Sequence, residues 1–261
     1  MTPSEVAEKH TILRSVVGST IHRLHLEGTD DRDEMGVAIE PPELALGLQR
    51  FEHYQHRDRP EGVKSEPGDL DLIIYSLRKF VGLAAAGNPS ILILLYAPPL
   101  FVNEWGARLL ENKHLFASRS AGPRFLGYMK QQKERLLGTR GQMRVTRTDL
   151  IEKHGFDTKY AMHMLRLGFQ GREFLTLGEL RLPPDPSNVD MAFCRKVREG
   201  RSTFEDVISV TEQLEEDLKK LLVTSPLPRV PDFKAIDKLL VGLYETYWWA
   251  NGLSSTVPGM I

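Results

Sequence analysis

The sequence predicts an α+β chain, in which a small mixed β-sheet part with flanking helices over residues 1–98 precedes a mostly α-helical part over residues 99–261. Three observations predict it. In the first 98 residues, short runs rich in β-branched and aliphatic side chains alternate with helix signals, as at 11–17 (TILRSVV), 34–39 (EMGVAI) and 69–75 (DLDLIIY). From residue 100 onward, apolar positions recur at intervals of three and four. The composition, 41% hydrophobic and 26% charged, is that of a folded globular protein, and 261 residues suffice for one large domain or two modest ones.

In chain order, Thr2, Pro3, Ser4 and Glu5 open a short helix, with an N-cap residue followed by an early proline. The strand at 11–17 ends at Gly18 and feeds a Gly18-Ser19 turn. Residues 21–26 read as a short helix, 28–32 as a turn and 34–39 as a second strand, so Asp31 and Asp33 lie where that strand begins. Pro41 and Pro42 start a helix to about Tyr54, and a polar loop leads on to the strand at 69–75. A period of two there puts Asp69, Asp71, Ile73 and Tyr75 on one face. Ser76 caps a helix over 77–87 that ends at Asn88-Pro89, and Ser90 starts another.

Helices follow near 101–112, 122–137, 148–155, 157–170, 187–199, 203–222 and 231–249. The clearest is 203–222, where Val207, Val210, Leu214, Leu218 and Leu221 form a stripe behind a Thr203 cap. Residues 179–182 read as a strand, the proline-rich stretches 183–187 and 225–232 as connectors, and Tyr244, Tyr247, Trp248 and Trp249 as the packing face of the last helix. This layout puts a site in the cleft between the two parts.

Charge and cysteine content narrow the function classes. With 34 Lys+Arg against 35 Asp+Glu, no global positive field recruits nucleic acid or an anionic membrane. One local exception is 130–147 (KQQKERLLGTRGQMRVTR), six cations and one acid, a segment suited to tracking an RNA or DNA backbone. A single cysteine, Cys194, forms no internal disulfide, so a reducing, cytoplasmic setting is expected, with a buried or idle thiol. The N-terminus lacks signal-peptide features, and the longest apolar run, 91–99, is far short of the roughly 20 residues a membrane helix needs. The pairs His22/His25 and His53/His56 lack a Glu or Cys partner for zinc and read as surface or packing residues.

The chemistry is concentrated in a few positions. Two carboxylates at Asp-x-Asp spacing on a strand point to one side, where their oxygens can share one or two Mg²⁺ ions with substrate phosphates; Asp31 and Asp33 have that spacing. Asp71, with Asp69 as runner-up, is the candidate third carboxylate from a neighbouring strand. At Gly18, backbone amides can approach a phosphate closely, and the Ser19 hydroxyl adds a donor. On a helix begun after Asp157, Lys159, His163 and Arg166 fall at i, i+4 and i+7, one cationic stripe fit for a triphosphate, while Ala161, Met164, Leu165 and Gly168 face elsewhere.

Together these residues are similar to a known pattern. Gly18-Ser19, then 29–33 as TDDRD, then Gly36-Val37, resembles the G-S-x(n)-[ST]-D-x-D signature of the DNA polymerase β-like nucleotidyltransferase superfamily. The resemblance extends to its branch of predicted nucleotidyltransferases through Asp71 to Phe80, Gly87-Asn88-Pro89, the set Lys159, Ala161, His163 and Arg166, and the segment Gly178 to Pro183, nearly the whole chain in order. Arg23 stands where that branch commonly has glycine. The resemblance implies a nucleotidyltransferase domain over 1–98 closed by a helical domain. It also implies transfer of a nucleoside monophosphate from an NTP, ATP being expected, to a hydroxyl on a nucleic-acid end, a protein or a small molecule. It further implies Mg²⁺ (two ions, with Mn²⁺ as a substitute) on Asp31, Asp33 and Asp71, with Asp71 also taking the acceptor's proton. A catalytically inactive nucleotide- or nucleic-acid-binding module is the rival reading; an NTP-dependent kinase ranks last, since no GxxxxGK[ST] loop is present.

Overall fold

The computed structural model describes residues 1–26, 32–59, 66, 68–139 and 147–253. A capping box between Thr2 and Glu5 starts α1 (Pro3–His10), and β1 (Thr11–Val16) follows directly. A single helical turn, α2 (Gly18–Ile21), then β2 (Arg32–Ala38), a second single turn, α3 (Pro42–Ala45), and the strands β3 (His53–Arg57) and β4 (Leu70–Ser76) complete most of the sheet. After α4 (Leu77–Ala85) and α5 (Pro89–Tyr96), β5 (Pro99–Val102) adds the last strand. The sheet order is β3-β4-β2-β1-β5; β2 and β4 run parallel and every other pair is antiparallel.

The register decides which side chains share a face. Leu13 pairs with Val37 and Ser15 with Met35, while Asp33, Met35 and Val37 of β2 lie opposite Asp71, Ile73 and Tyr75 of β4. By the two-residue period these all project to one side. On that side Leu77, Phe80 and Val81 of α4 are buried, and each large apolar side chain so buried is worth about 1.5–3 kcal/mol. A smaller cluster, Val6, Ala7, Ala38, Phe51 and Ile74, seals the other face beneath α1.

The remaining helices are α6 (Glu104–Glu111), α7 (Gly122–Leu136), α8 (Thr148–His154), α9 (Thr158–Leu177), α10 (Val189–Arg198), α11 (Phe204–Thr224) and α12 (Phe233–Ala250). α9 is their centre, packed by α7, α10 and α11. Gly171 allows the approach of α7, because a Cβ there would come within 2.8 Å of Phe125 Cβ. Asp157 caps the start of α9 through the Lys159 and Tyr160 amides. α12 returns to the first half of the chain, where the Tyr244 hydroxyl donates to the buried Glu40 carboxylate (2.7 Å) and the Trp248 indole to the Glu40 carbonyl (2.9 Å). Burial raises the pKa of Glu40, and its hydrogen bonds to Tyr244 and the Leu77 amide oppose that shift.

The expected strands at 11–17, 34–39 and 69–75 and most of the expected helices are present; four local expectations are corrected. The helix expected from Pro42 to Tyr54 stops at Ala45: Leu46 and Leu48 beyond it are exposed, so no buried face extends it, and alternating burial makes 53–57 an edge strand. The short helix expected at 21–26 lies earlier, at Gly18–Ile21. Residues 179–182 pair with no strand among the described residues; Leu180 is instead buried in the helical core. Trp249 is 79% exposed, whereas Tyr244 and Tyr247 are buried as expected. β5 was not legible, because all four of its residues are exposed and leave no alternating pattern. No single helix among the described residues is long and apolar enough to cross a membrane.

Candidate active site

The turn after β1 sits against Asp33. The Val17 amide donates to the Asp33 carbonyl (2.9 Å), which ties the end of β1 to β2. Gly18 then takes a left-handed conformation (φ 66°) and begins α2, and the Ser19 carbonyl closes the loop by accepting from the Leu24 amide (3.0 Å). A Cβ on Gly18 would lie 1.8 Å from Asp33 Oδ2, so the carboxylate rests on the bare Cα. Only glycine satisfies both the backbone angle and this approach.

Asp33 and Asp71 are direct partners across the parallel β2–β4 pair. Arg57 on the edge strand, opposite Asp71, makes an ion pair with it (Nε to Oδ2, 2.9 Å). Asp69, the runner-up, is held by Arg59 (2.7 Å) and the Glu66 amide (2.7 Å). Glu34, next to Asp33 in sequence, projects to the other face, where it is buried between Arg14 (3.2 Å) and Arg32 (2.6 Å). Asp30 and Asp31 lie outside the described residues. Among the described residues no group of three or more His, Cys, Asp or Glu side chains is arranged around a metal position. Asp33 and Asp71 supply two hard carboxylates side by side, a donor set that fits Mg²⁺ or Mn²⁺, with one Asp71 oxygen engaged by Arg57.

The cationic stripe of α9 faces this turn. Arg166 Nη1 donates to His22 Nε2 (2.6 Å) and to Gln170 Oε1 (3.1 Å). Since a guanidinium only donates, His22 Nε2 is the accepting nitrogen. Burial, then the charges of Arg166 and His163, holds the His22 pKa well below its usual range. His163 is depressed in the same sense, first by burial, then by Arg166, Lys159, Arg147 and Arg198. Burial lowers Arg166 to about 10, opposed by Cys194 and by the Asp33 carboxylate, so the guanidinium stays charged at neutral pH. Its Nε is buried and has no hydrogen-bond partner among the described residues.

Gly18, Ser19, Asp33 and Asp71 are thus drawn to one end of the sheet, and Arg166 reaches them across the cleft through His22. His163 and Lys159 lie one and two turns before Arg166 on α9; Lys159 acts electrostatically on His163, and His163 on His22. His22, expected to be a surface or packing residue, is 1% exposed and braces Arg166. Gln170 and Arg198 are further members that sequence reasoning missed, while Arg147 comes from the basic segment 130–147. Gln170 continues the Lys159/His163/Arg166 stripe by one more turn, a periodic signal that was available; His22 and Arg198 carried none. Of the basic segment 130–147, Lys133 is paired with Glu215 (3.0 Å), Arg147 with Asp157 (3.0 Å) and over the Tyr160 ring, and 140–146 lie outside the described residues. Cys194 is buried, and its thiol is pushed up by burial.

A glycine turn resting on an acid, a second acid in register on a parallel strand and cations on the facing helix have the layout that the sequence resemblance leads one to expect of the nucleotidyltransferase-like, DNA polymerase β class. The model of the RNA repair pathway DNA polymerase beta family matches residues 1–241, and the chain belongs to that family. General nucleotidyl transfer is the chemistry that accompanies it. A nucleotidyltransferase-like protein from Exiguobacterium sibiricum 255-15, known from a crystal structure at 1.90 Å resolution, aligns with 95% of this chain and 75% of its own at 12% identity, with a TM-score of 0.31. No curated protein matches the chain in sequence.

Proposed function

We propose that this protein is a Mg²⁺-dependent nucleotidyltransferase that moves a nucleoside monophosphate from an NTP, ATP by expectation, to a hydroxyl at an RNA end, releasing pyrophosphate. The observation that carries the reading is the Asp33 carboxylate resting on Gly18, in register with Asp71 and acting on Arg166. The RNA acceptor is drawn from the repair pathway named for the family.

Asp33 and Asp71, with Asp31 as the expected third ligand, would hold the metal. When bound, Mg²⁺ neutralises charge on the triphosphate as pyrophosphate leaves. The chain's own groups do the positioning. Backbone amides at the Gly18 turn would lie along the triphosphate, and the charged Arg166 guanidinium and Lys159 would add positive potential to it. Neutral His163 would offer one ring N–H to a phosphate oxygen. The acceptor oxygen forms the new bond to the α-phosphorus, the bond from that phosphorus to the bridging oxygen of pyrophosphate breaks, and the acceptor's proton passes to Asp71. Arg147, the end of the basic segment 130–147, adds positive potential beside His163.

The Arg57–Asp71 ion pair favours a second reading, a binding module whose acid is permanently occupied. Incubation with each labelled NTP, Mg²⁺ and an RNA oligonucleotide separates the two. Transfer of label with release of pyrophosphate, abolished by Asp33→Asn and by Asp71→Asn, is the expected outcome. Full activity in Asp33→Asn overturns the site assignment, and metal-independent nucleotide binding without turnover favours the module.

A further inference from the structure

We infer that the acceptor RNA strand lies in the cleft between Arg23, just after α2, and the outer face of α10, an assignment that rests on the nucleotidyltransferase reading above. The cleft encloses about 700 Å³, and its walls include Arg23, Arg195, Lys196 and Arg201, with Phe193 and Asp185. Four cations face two acids there: Asp185, which also binds Ser187, and Glu199, which pairs with Arg201. A chain of nearly zero net charge thus gathers a local cationic wall, the electrostatic footprint of a phosphate backbone. Phe193, half-buried on the same wall, offers a ring on which a base can stack.

The position of the wall fits an acceptor path. Arg23 directly follows His22, the residue that braces Arg166. α10 has two faces: Cys194 and Arg198 are buried against the α9 stripe, where Arg198 acts on His163, while Arg195 and Lys196 are exposed toward the cleft. A strand in the cleft is therefore one helix away from the triphosphate cations. Arg23 adds a second, independent indication. It is the one non-glycine residue with positive φ (56°) among the described residues, and Arg195 donates to its carbonyl to hold it there. An arginine kept in a backbone region that glycine occupies without strain points to a use for its side chain, and that side chain lines the cleft.

The test is the affinity of the full chain for a labelled single-stranded RNA oligonucleotide, measured by fluorescence anisotropy over a range of salt. Lys196→Glu/Arg201→Glu replaces two exposed cations, and roughly tenfold or greater weakening is expected, with the salt slope reduced by about 1.4, near 0.7 for each lost phosphate contact. Binding of Mg²⁺-ATP should be unchanged. Arg23→Gly removes a cation while relieving the backbone, so it should weaken RNA binding yet melt no lower than the wild type. Wild-type RNA affinity and slope in both variants overturn the assignment, as does preference for a DNA of the same sequence. Failure of the underlying function shows separately, as an absence of pyrophosphate release by the wild type while RNA binding still depends on the cleft.

Discussion

Replacing Gly18 by alanine puts a methyl carbon 1.8 Å from Asp33 Oδ2, 2.7 Å from its Cγ and 2.8 Å from its Cβ. Because the clash reaches the base of the side chain, rotation of the carboxylate alone does not relieve it. The oxygen must retreat by at least about 1.2 Å to restore the 3.0 Å below which such contacts essentially never occur. The φ of 66° adds the left-handed cost of roughly 1–2 kcal/mol. For a chain of this size, that corresponds to a melting temperature lower by about 2–8 °C. A displacement near 1 Å at a reacting group costs on the order of 100-fold in rate. Gly18→Ala is therefore expected to melt a few degrees lower and to lose about two orders of magnitude in NMP transfer. Asp33→Ala in the Gly18→Ala background should recover part of the lost stability without recovering activity. Thermal unfolding and pyrophosphate release measure the two effects. A Gly18→Ala protein that melts and turns over like the wild type refutes the contact between turn and acid.

Three further outcomes are expected. Arg57→Ala frees the second Asp71 oxygen; an exposed ion pair is worth about 0.2–1 kcal/mol, so the Mg²⁺ needed for half-maximal activity should fall roughly 1.5- to 5-fold, and a rise would count against Asp71 as a metal ligand. His22 and His163 are both depressed below the ordinary 6.5 in the folded state, so the unfolded chain binds more protons over that interval. The stability they contribute is complete above pH 6.5 and declines as pH falls toward their folded values, and His22→Gln should flatten the melting curve's dependence on pH between about 5 and 7. Tyr244→Phe removes a buried 2.7 Å hydrogen bond to Glu40 and should cost about 1–3 kcal/mol in unfolding experiments while leaving nucleotide binding intact; an unchanged melting temperature would show that α12 is not anchored there.

The sequence by itself determined the α+β class, three of the five strands and most helix starts, and it singled out Gly18, Asp33, Asp71, Lys159 and Arg166 as candidates. Those signals are local: a period of two or of three to four, a capping residue at a fixed offset, an acid at the foot of a strand. Tertiary structure decided what periodicity does not encode. Parallel pairing of β2 with β4 set Asp33 beside Asp71, and alternation across β2 sent Glu34 to the opposite face, between Arg14 and Arg32. The edge strands β3 and β5 exist because a sheet edge was open to them; β5 is exposed at all four positions and had no burial pattern to betray it. His22 became part of the site only when α9 packed over the turn, since its accepting nitrogen has meaning only against an arginine that follows it by 144 positions.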